Sequence, residues 1–483
     1  MLLSKIIPNA PDIEIKALAY DSRLDLNDSI FFCLKGASFN GHDFVKEAIS
    51  KGAKVIVYSD DIKLDDNAIY IKVKSVETTM AYIASKFYDN PSSKLKLIGV
   101  TGTNGKTTIT SIINDLISNF SSCAYIGTLG INYNDKTIPA TLTTPDIISI
   151  NKYLADFQSN GIKYCAMEVS SIGLEQKRVF ALDFDYAIFS NLSHDHLDYH
   201  INFDNYLKAK KILFDSLSAN KVAIINIDDE NALNLITDCK AKVITYGIDK
   251  FADFMAMDIN CEKDHSTFTL KALGTIQRVR TNLVGRFNIY NLLAAYAMLT
   301  SEGYDLNKLI NLSAKLNQIK GRMERIDNDH DYNIIIDYAH TPDGLNKVFE
   351  YAKKITDSDK KIIAITGSAG RRDKLKRAVF GEILDANCDM IILTEDDPRD
   401  EKVSDICLEI ASSIKNHNYV IIESRAEAIV NAMEIINKGD CLLILGKGSE
   451  KFMYRNNTKE AYEGDEFFVR RYLKEMENDN EIS

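Results

Sequence analysis

The sequence predicts an α/β protein of three domains built on mostly parallel sheets. Three observations carry that expectation. The chain has 483 residues, and at about 150 residues per domain this suggests three. Short β-branched runs alternate with helical patterns from end to end, the signature of βαβ units. In the last third, four strands each run into a polar or glycine-rich loop, and open α/β sheets bind ligands at that carboxyl edge.

Composition narrows the function. With 45% hydrophobic and 26% charged residues, no stretch is poor enough in apolar residues to read as disordered. Lys and Arg number 58 against 69 Asp and Glu, a formal charge of −11. That argues against a general nucleic-acid or anionic-membrane binder, because such partners need a positive footprint. Cys33, Cys123, Cys165, Cys239, Cys261, Cys388, Cys407 and Cys441 are scattered, with no CxxC pair and no metal-ligand spacing. A reduced, cytoplasmic protein is expected. Apolar runs fall far short of the ~18 residues that span a bilayer, and the start of the chain lacks a signal-peptide pattern. The expected partners are small molecules, with no nucleic acid and no membrane span, and the expected state is a monomer.

The first block, residues 1–91, ends at the polar turn Asp89-Asn90-Pro91-Ser92-Ser93, which suits a linker. The second, 92–320, opens on the strand Leu95–Val100, followed by Thr101-Gly102-Thr103-Asn104-Gly105-Lys106-Thr107-Thr108. Ile109, Ile112, Ile113, Leu116 and Ile117 then fall on one helical face. Strand, glycine loop and helix form a phosphate-binding context. Glycines let backbone N–H groups close on phosphates, the helix N-terminus adds positive potential, Lys106 reaches the terminal phosphates and Thr107 can ligate Mg²⁺. Val100 stands where the longer GxxxxGK[ST] pattern has its first glycine.

Two further features in this block carry chemistry. Glu168 lies close to the end of the apolar strand Tyr164–Val169; a lone buried acid needs a partner or a metal, and Mg²⁺ needs few protein ligands because it keeps waters and shares phosphates. Downstream, His194, His196 and His200 crowd one loop with Asp195 and Asp198. This nearly matches the HxHxDH pattern of metallo-β-lactamase-type hydrolases, a rival reading in which the phosphate loop has no purpose.

The third block, 321–483, begins at Gly321. Its strands Ile334–Ile336, Ile362–Thr366, Met390–Thr394 and Leu442–Leu445 lead into Asp337–His340, Gly367–Lys374, Glu395–Arg399 and Gly446–Glu450. If the sheet is parallel, all four loops open on one edge, the expected place for a second substrate.

Taken in order, Gly102–Thr108, Glu168-Val169-Ser170-Ser171, Asn191-Leu192-Ser193 with Asp195-His196-Leu197-Asp198, Gly285–Asn291, Gly321–Glu324 and Asp337–His340 resemble the Mur ligase family. These are ATP-dependent amide-forming enzymes of peptidoglycan precursor synthesis. The resemblance spans nearly the whole chain. It implies a UDP-substrate domain, a central P-loop ATPase with a doubly wound sheet, and a C-terminal Rossmann-like domain. It also implies ATP contacts from Gly102 to Thr108, Asn291, Arg322 and Asp337, with His340 packed on the nucleotide. Mg²⁺ would be held by Thr107, Glu168 and His196, and His196 would share catalytic duty with Lys106 and Arg322. Tyr206-x-x-x-Lys210 resembles the segment whose lysine is carbamylated by CO₂, giving an anionic metal ligand, although the residues alone do not separate Lys210 from Lys208 or Lys211.

Within the family, the branch that adds the third amino acid fits best. Asp21-Ser22-Arg23 and Gly36-x4-Gly41 resemble its N-terminal domain, implying uridine contacts from Ser22 and the Ala37–Phe39 loop. Thr143, Thr144, Ser170, Gln176 and Arg178 match its contacts to the nucleotide-sugar peptide, a UDP-muramoyl dipeptide. Asp396-Asp397-Pro398-Arg399 resembles the Asp-Asn-Pro-Arg motif of enzymes that add meso-diaminopimelate, in which the arginine pairs with the distal carboxylate. Arg372, Gly446 and Glu450 match further amino-acid contacts. Asp397 departs from the usual Asn, and its extra carboxylate keeps L-lysine open as an alternative substrate. A folylpolyglutamate synthetase-like ligase, or a nucleotide-sensing scaffold without turnover, would share the phosphate loop.

Overall fold

The computed structural model describes residues 1–36 and 39–482; Ala37 and Ser38, in the loop expected to touch uridine, lie outside the described residues. Three sheets organise the chain. The first has four parallel strands, Ala17–Ala19, Ser29–Phe32, Ala53–Tyr58 and Ile69–Lys72, in sequence order. One face packs Phe31, Ile56 and Tyr58 over Val45 and Ala48 of a short helix. The other contributes Ile30, Phe32, Val55 and Val57 to a core shared with the central sheet.

The central sheet has eleven strands. The strand Lys96–Thr101 pairs in parallel with Tyr164–Glu168 on one side and Tyr186–Phe189 on the other. The chain leaves Lys96–Thr101, crosses to Cys123–Gly127, and returns only later to fill both neighbouring positions. The loop after Lys96–Thr101 therefore sits at a topological switch point, where adjacent crossovers diverge and leave a crevice. Helices cover both faces: Lys106–Ser118 with Arg286–Ser301 on one, Ile147–Ser159 with Phe203–Asp215 on the other. Arg286–Ser301 is apolar nearly all round and almost wholly buried, as expected of a helix enclosed by its neighbours.

The third sheet has six strands, parallel except for the antiparallel edge strand Glu324–Ile326. The four expected strands lie in it as Asn333–Asp337, Ile362–Thr366, Met390–Leu393 and Cys441–Leu445. They run parallel, so their following loops share one edge. A hairpin, Phe452–Arg455 with Thr458–Ala461, is not legible from the alternation pattern. It clasps the loop after Met390–Leu393: the Arg399 N–H donates to the Tyr454 carbonyl at 2.8 Å, and Asn456 N–H returns a bond to Arg399.

Candidate active site

The phosphate loop takes its shape from two glycines. Gly102 has φ +150° and Gly105 φ +88°. A Cβ at Gly102 would lie 1.9 Å from Ser190 Oγ, and one at Gly105 2.6 Å from Asn291 Oδ1. No other residue fits either place. Helix Lys106–Ser118 starts directly after Gly105 with no side-chain cap, leaving its first N–H groups free for an anion. Val100 is buried within the strand, so the first loop glycine is Gly102, two positions after the place it takes in the longer pattern.

Around this loop lies a cleft of about 880 Å³, lined by residues 103–108 and by Thr143, Glu168, Ser170, Arg178, His196, Lys210, Asn291, Arg322, Asp337, His340 and Arg372. Both larger domains contribute. Arg322 Nη2 donates to Thr107 Oγ1 at 3.0 Å, and Asn104 Nδ2 donates to Asp343 at 2.8 Å. Lys106 Nζ donates to the Gly102 and Thr103 carbonyls, each at 2.9 Å, so its ammonium is folded onto the loop that it serves.

Glu168 is buried, as its position on an apolar strand requires. Oε2 accepts from Thr107 Oγ1 at 3.0 Å, while Oε1 accepts from Tyr125 Oη at 2.5 Å and Thr128 N–H at 2.8 Å. Hydroxyl and carboxylate meet beside the phosphate loop, the oxygen chemistry that Mg²⁺ prefers.

Geometry separates the three lysines that the sequence leaves open. Lys208 is exposed and Lys211 is paired with Asp215 and Asp238, both at 2.6 Å. Lys210 is buried, with Nζ donating to the Gly102 carbonyl at 2.8 Å and lying over the Tyr206 ring. Burial, reinforced by the nearby Lys106 ammonium, pushes Lys210 well below the usual lysine range. A downward shift favours the amine over the ammonium, and the amine is the nucleophilic form.

The histidines do not converge. His194 pairs with Asp373 of the third domain at 3.0 Å, His196 lies 3.4 Å from Asp195, and His200 bonds Ser171 Oγ at 2.9 Å. Among the described residues, no three His, Cys, Asp or Glu side chains form a metal-ligand set. The hydrolase reading therefore lacks its donor geometry, while the loop it would leave idle is fully formed.

Comparison with known proteins agrees. Residues 14–88, 100–299 and 321–448 match the models described as Mur ligase family, catalytic domain; Mur ligase middle domain; and Mur ligase, glutamate ligase domain. A UDP-N-acetylmuramoyl-L-alanyl-D-glutamate–2,6-diaminopimelate ligase of Clostridium acetobutylicum is 38% identical over 468 residues, 96% of each chain. The chain belongs to the Mur ligase family. A solved ligase of that same description superposes with a TM-score of 0.70 at 30% identity over 99% of both chains. A Mycobacterium tuberculosis folylpolyglutamate synthase shares the fold with a TM-score of 0.64, at 17% identity and covering 76% of this chain.

Other expected residues of this Mur ligase are placed as follows. Asn291 stands over Gly105, and Asp337 accepts from the Met323 and Ala339 N–H groups, both at 2.7 Å. Thr144 does not line the cleft. Its hydroxyl donates to the Glu168 carbonyl and accepts from Ser170 N–H, both at 2.9 Å, so it braces the strand end. Gln176 is likewise outside, and its Oε1 orients Arg178, whose Nη1 donates to the Thr144 carbonyl at 2.9 Å. Ser22 is buried in the first domain, its carbonyl taken by Lys51 at 2.7 Å.

At the far edge, Arg372 lines the cleft, but Asp396, Asp397, Pro398, Arg399, Gly446 and Glu450 do not. A chain of contacts joins the two places: Arg322 stacks on the Tyr338 ring at 4.3 Å, and Tyr338 Oη donates to Glu450 at 3.3 Å. Among the described residues the Arg399 guanidinium makes no hydrogen bond or ion pair, and burial and the neighbouring Arg372 both disfavour its charge. Among the described residues Arg372 pairs only with Asp198, at 3.8 Å. The two under-neutralised guanidiniums feel each other's charge, and a planar two-donor face of this kind matches a carboxylate. Asp397 is not a bare acid: its Oδ1 accepts from Lys447 Nζ at 2.9 Å and Tyr454 N–H at 3.0 Å. Lys447 and Tyr338 lie in this chain of contacts, and sequence reasoning leaves them unassigned. Both adjoin assigned residues in the quoted loops, which is the signal that points to them.

The cluster also sets how stability responds to acid. Burial pushes His340 down to about 4, against the pull of Asp195. Its neutral form is the folded one, so protons bind the unfolded chain first. The stability it contributes is present above its ordinary 6.5 and is lost as pH falls toward 4. Below that, burial opposes ionisation of Asp195, but His196, His340, Lys376 and Lys106 hold it at about 2, extending the loss. Urea midpoints are expected to fall from pH 6.5 to 4, and His340→Gln to flatten that slope. An unchanged slope in the variant would remove His340 as its source.

Proposed function

We propose that the chain is an ATP-dependent ligase that joins meso-diaminopimelate to UDP-N-acetylmuramoyl-L-alanyl-D-glutamate. The reading rests on the junction of a complete phosphate loop with a dicationic far site, Arg372 and Arg399, through Arg322, Tyr338 and Glu450. The D-glutamate carboxylate attacks the γ-phosphorus of ATP, the bond to the β-phosphate oxygen breaks, and ADP leaves. The amine of the amino acid then attacks the acyl carbon, loses a proton, and phosphate departs as the amide forms. No protein nucleophile is needed. The protein contributes position and charge: Lys106, the loop N–H groups and Arg322 face the transferring phosphoryl group.

Thr107, Glu168 and His196 are the residues that would hold Mg²⁺, joined by Lys210 once its neutral amine has added CO₂ and released a proton to become a carbamate. Such an ion neutralises phosphate oxygens and lowers the cost of charge on the leaving group. Arg178 lines the cleft near Tyr20 of the first domain and is the residue that would meet the nucleotide-sugar peptide. L-lysine is the lesser reading, because its terminal ammonium would meet Arg399 and Arg372, while Asp397 is already engaged by Lys447.

A phosphate-release assay with the UDP-muramoyl dipeptide and an amino-acid panel tests the proposal. Release is expected to require both the dipeptide and diaminopimelate; equal release with L-lysine or D-alanyl-D-alanine would overturn the substrate assignment.

A further inference from the structure

Lys447 follows the apolar strand Cys441–Leu445 and is completely buried. A buried ammonium needs anionic partners, and it has two from different loops. Its Nζ lies 2.9 Å from Asp397 Oδ1 and 2.5 Å from Glu450 Oε2, above the Phe452 ring at 4.8 Å. One cation thus ties the loop after Met390–Leu393 to the loop after Cys441–Leu445. The two Glu450 oxygens are treated differently. Oε2 is locked on Lys447, while among the described residues Oε1 has only the long 3.3 Å contact from Tyr338 Oη, and the side chain is 17% exposed.

We propose that Lys447 is a positioning residue of the amino-acid site: it anchors one oxygen of Glu450 so that the other faces the distal ammonium of the incoming amino acid. This rests on the ligase reading above. Glu450 Oε1 then takes the ammonium, and the cations Arg372 and Arg399 the carboxylate, of a distal centre that carries both.

The test is a double-mutant cycle of Lys447→Gln, Glu450→Gln and the combined variant, assayed by ATP-dependent phosphate release. Lys447→Gln is expected to raise the KM for diaminopimelate about tenfold or more and to leave the KM for ATP within about twofold, since only the amino-acid contact is disturbed. Because Lys447 acts through Glu450, the combined variant is expected to match Glu450→Gln alone. That variant also carries no unpaired Lys447 charge, so its comparison with Glu450→Gln decides the matter even if Lys447→Gln fails to fold. Additive effects, or equal rises in both KM values, would overturn the positioning role. If the wild type prefers another amino acid, the same cycle is run with that one. Failure of the substrate reading therefore shows in the wild-type panel, and failure of the positioning role shows in the variants.

Discussion

Lys106→Met is expected to lower kcat on the order of 10²- to 10³-fold, the cost of losing one preorganised donor aimed at charge that develops during phosphoryl transfer. In the structure its ammonium rests on the Gly102 and Thr103 carbonyls, a position from which it reaches the terminal phosphates only by exchanging those partners. Its contribution is therefore made mainly in the transition state, and kcat should fall much further than the KM for ATP rises. Stability moves the other way. Burial, with Arg322 adding to it, disfavours the Lys106 charge, and only Glu168 and Asp195 oppose this. A group whose charged form is disfavoured in the folded state costs stability at neutral pH, so the melting temperature of the methionine variant should be unchanged or higher. Turnover within about tenfold of wild type would exclude this ammonium from phosphoryl transfer. A collapse in melting temperature would mean that the loop depends on it structurally.

The phosphate loop was legible because its chemistry is local. Gly102, Gly105, Lys106 and Thr107 are close in sequence, and the strand before and the helix after are written in apolar periodicity. Glu168 was legible as an acid where an apolar strand permits none without a partner. The four C-terminal strands were legible as apolar runs, and their parallel pairing put the loops on one edge as expected. What stayed hidden depends on packing between distant segments. Nothing in Lys208, Lys210 and Lys211 says which faces inward; the helix Phe203–Asp215 decides it by laying Tyr206 and Lys210 on its buried side. Thr144 and Gln176 match family positions, and the bonds their oxygens accept from Ser170 N–H and Arg178 show only once the segments are packed. The partner of Asp397 is 50 residues away in sequence, beyond any local pattern. Without it, Asp in place of Asn reads as a bare added charge, whereas in the fold one of its oxygens is held by Lys447.

Arg399→Ala is expected to raise the KM for diaminopimelate roughly 10- to 150-fold, the equivalent of the ~1.5–3 kcal/mol that a charge-assisted bond to a carboxylate contributes. The KM for ATP should stay where it is, since Arg399 does not line the nucleotide cleft. The loop itself should survive the change. It is held by main-chain bonds between Arg399, Tyr454 and Asn456 and by the side chain of Asp397, none of which needs the guanidinium. Removing one of two adjacent cations also relieves their mutual repulsion. Arg399→Lys should recover only part of the loss, because an ammonium does not present the planar two-donor face that a carboxylate accepts. Discrimination should change together with affinity. L-lysine is disfavoured by placing its ammonium beside Arg372 and Arg399, so the alanine variant loses an attraction for diaminopimelate and half of the repulsion of lysine. The ratio of kcat/KM for the two amino acids is therefore expected to fall by more than lysine turnover rises. If both amino acids lost activity equally, Arg399 would be supporting the loop rather than reading the distal carboxylate.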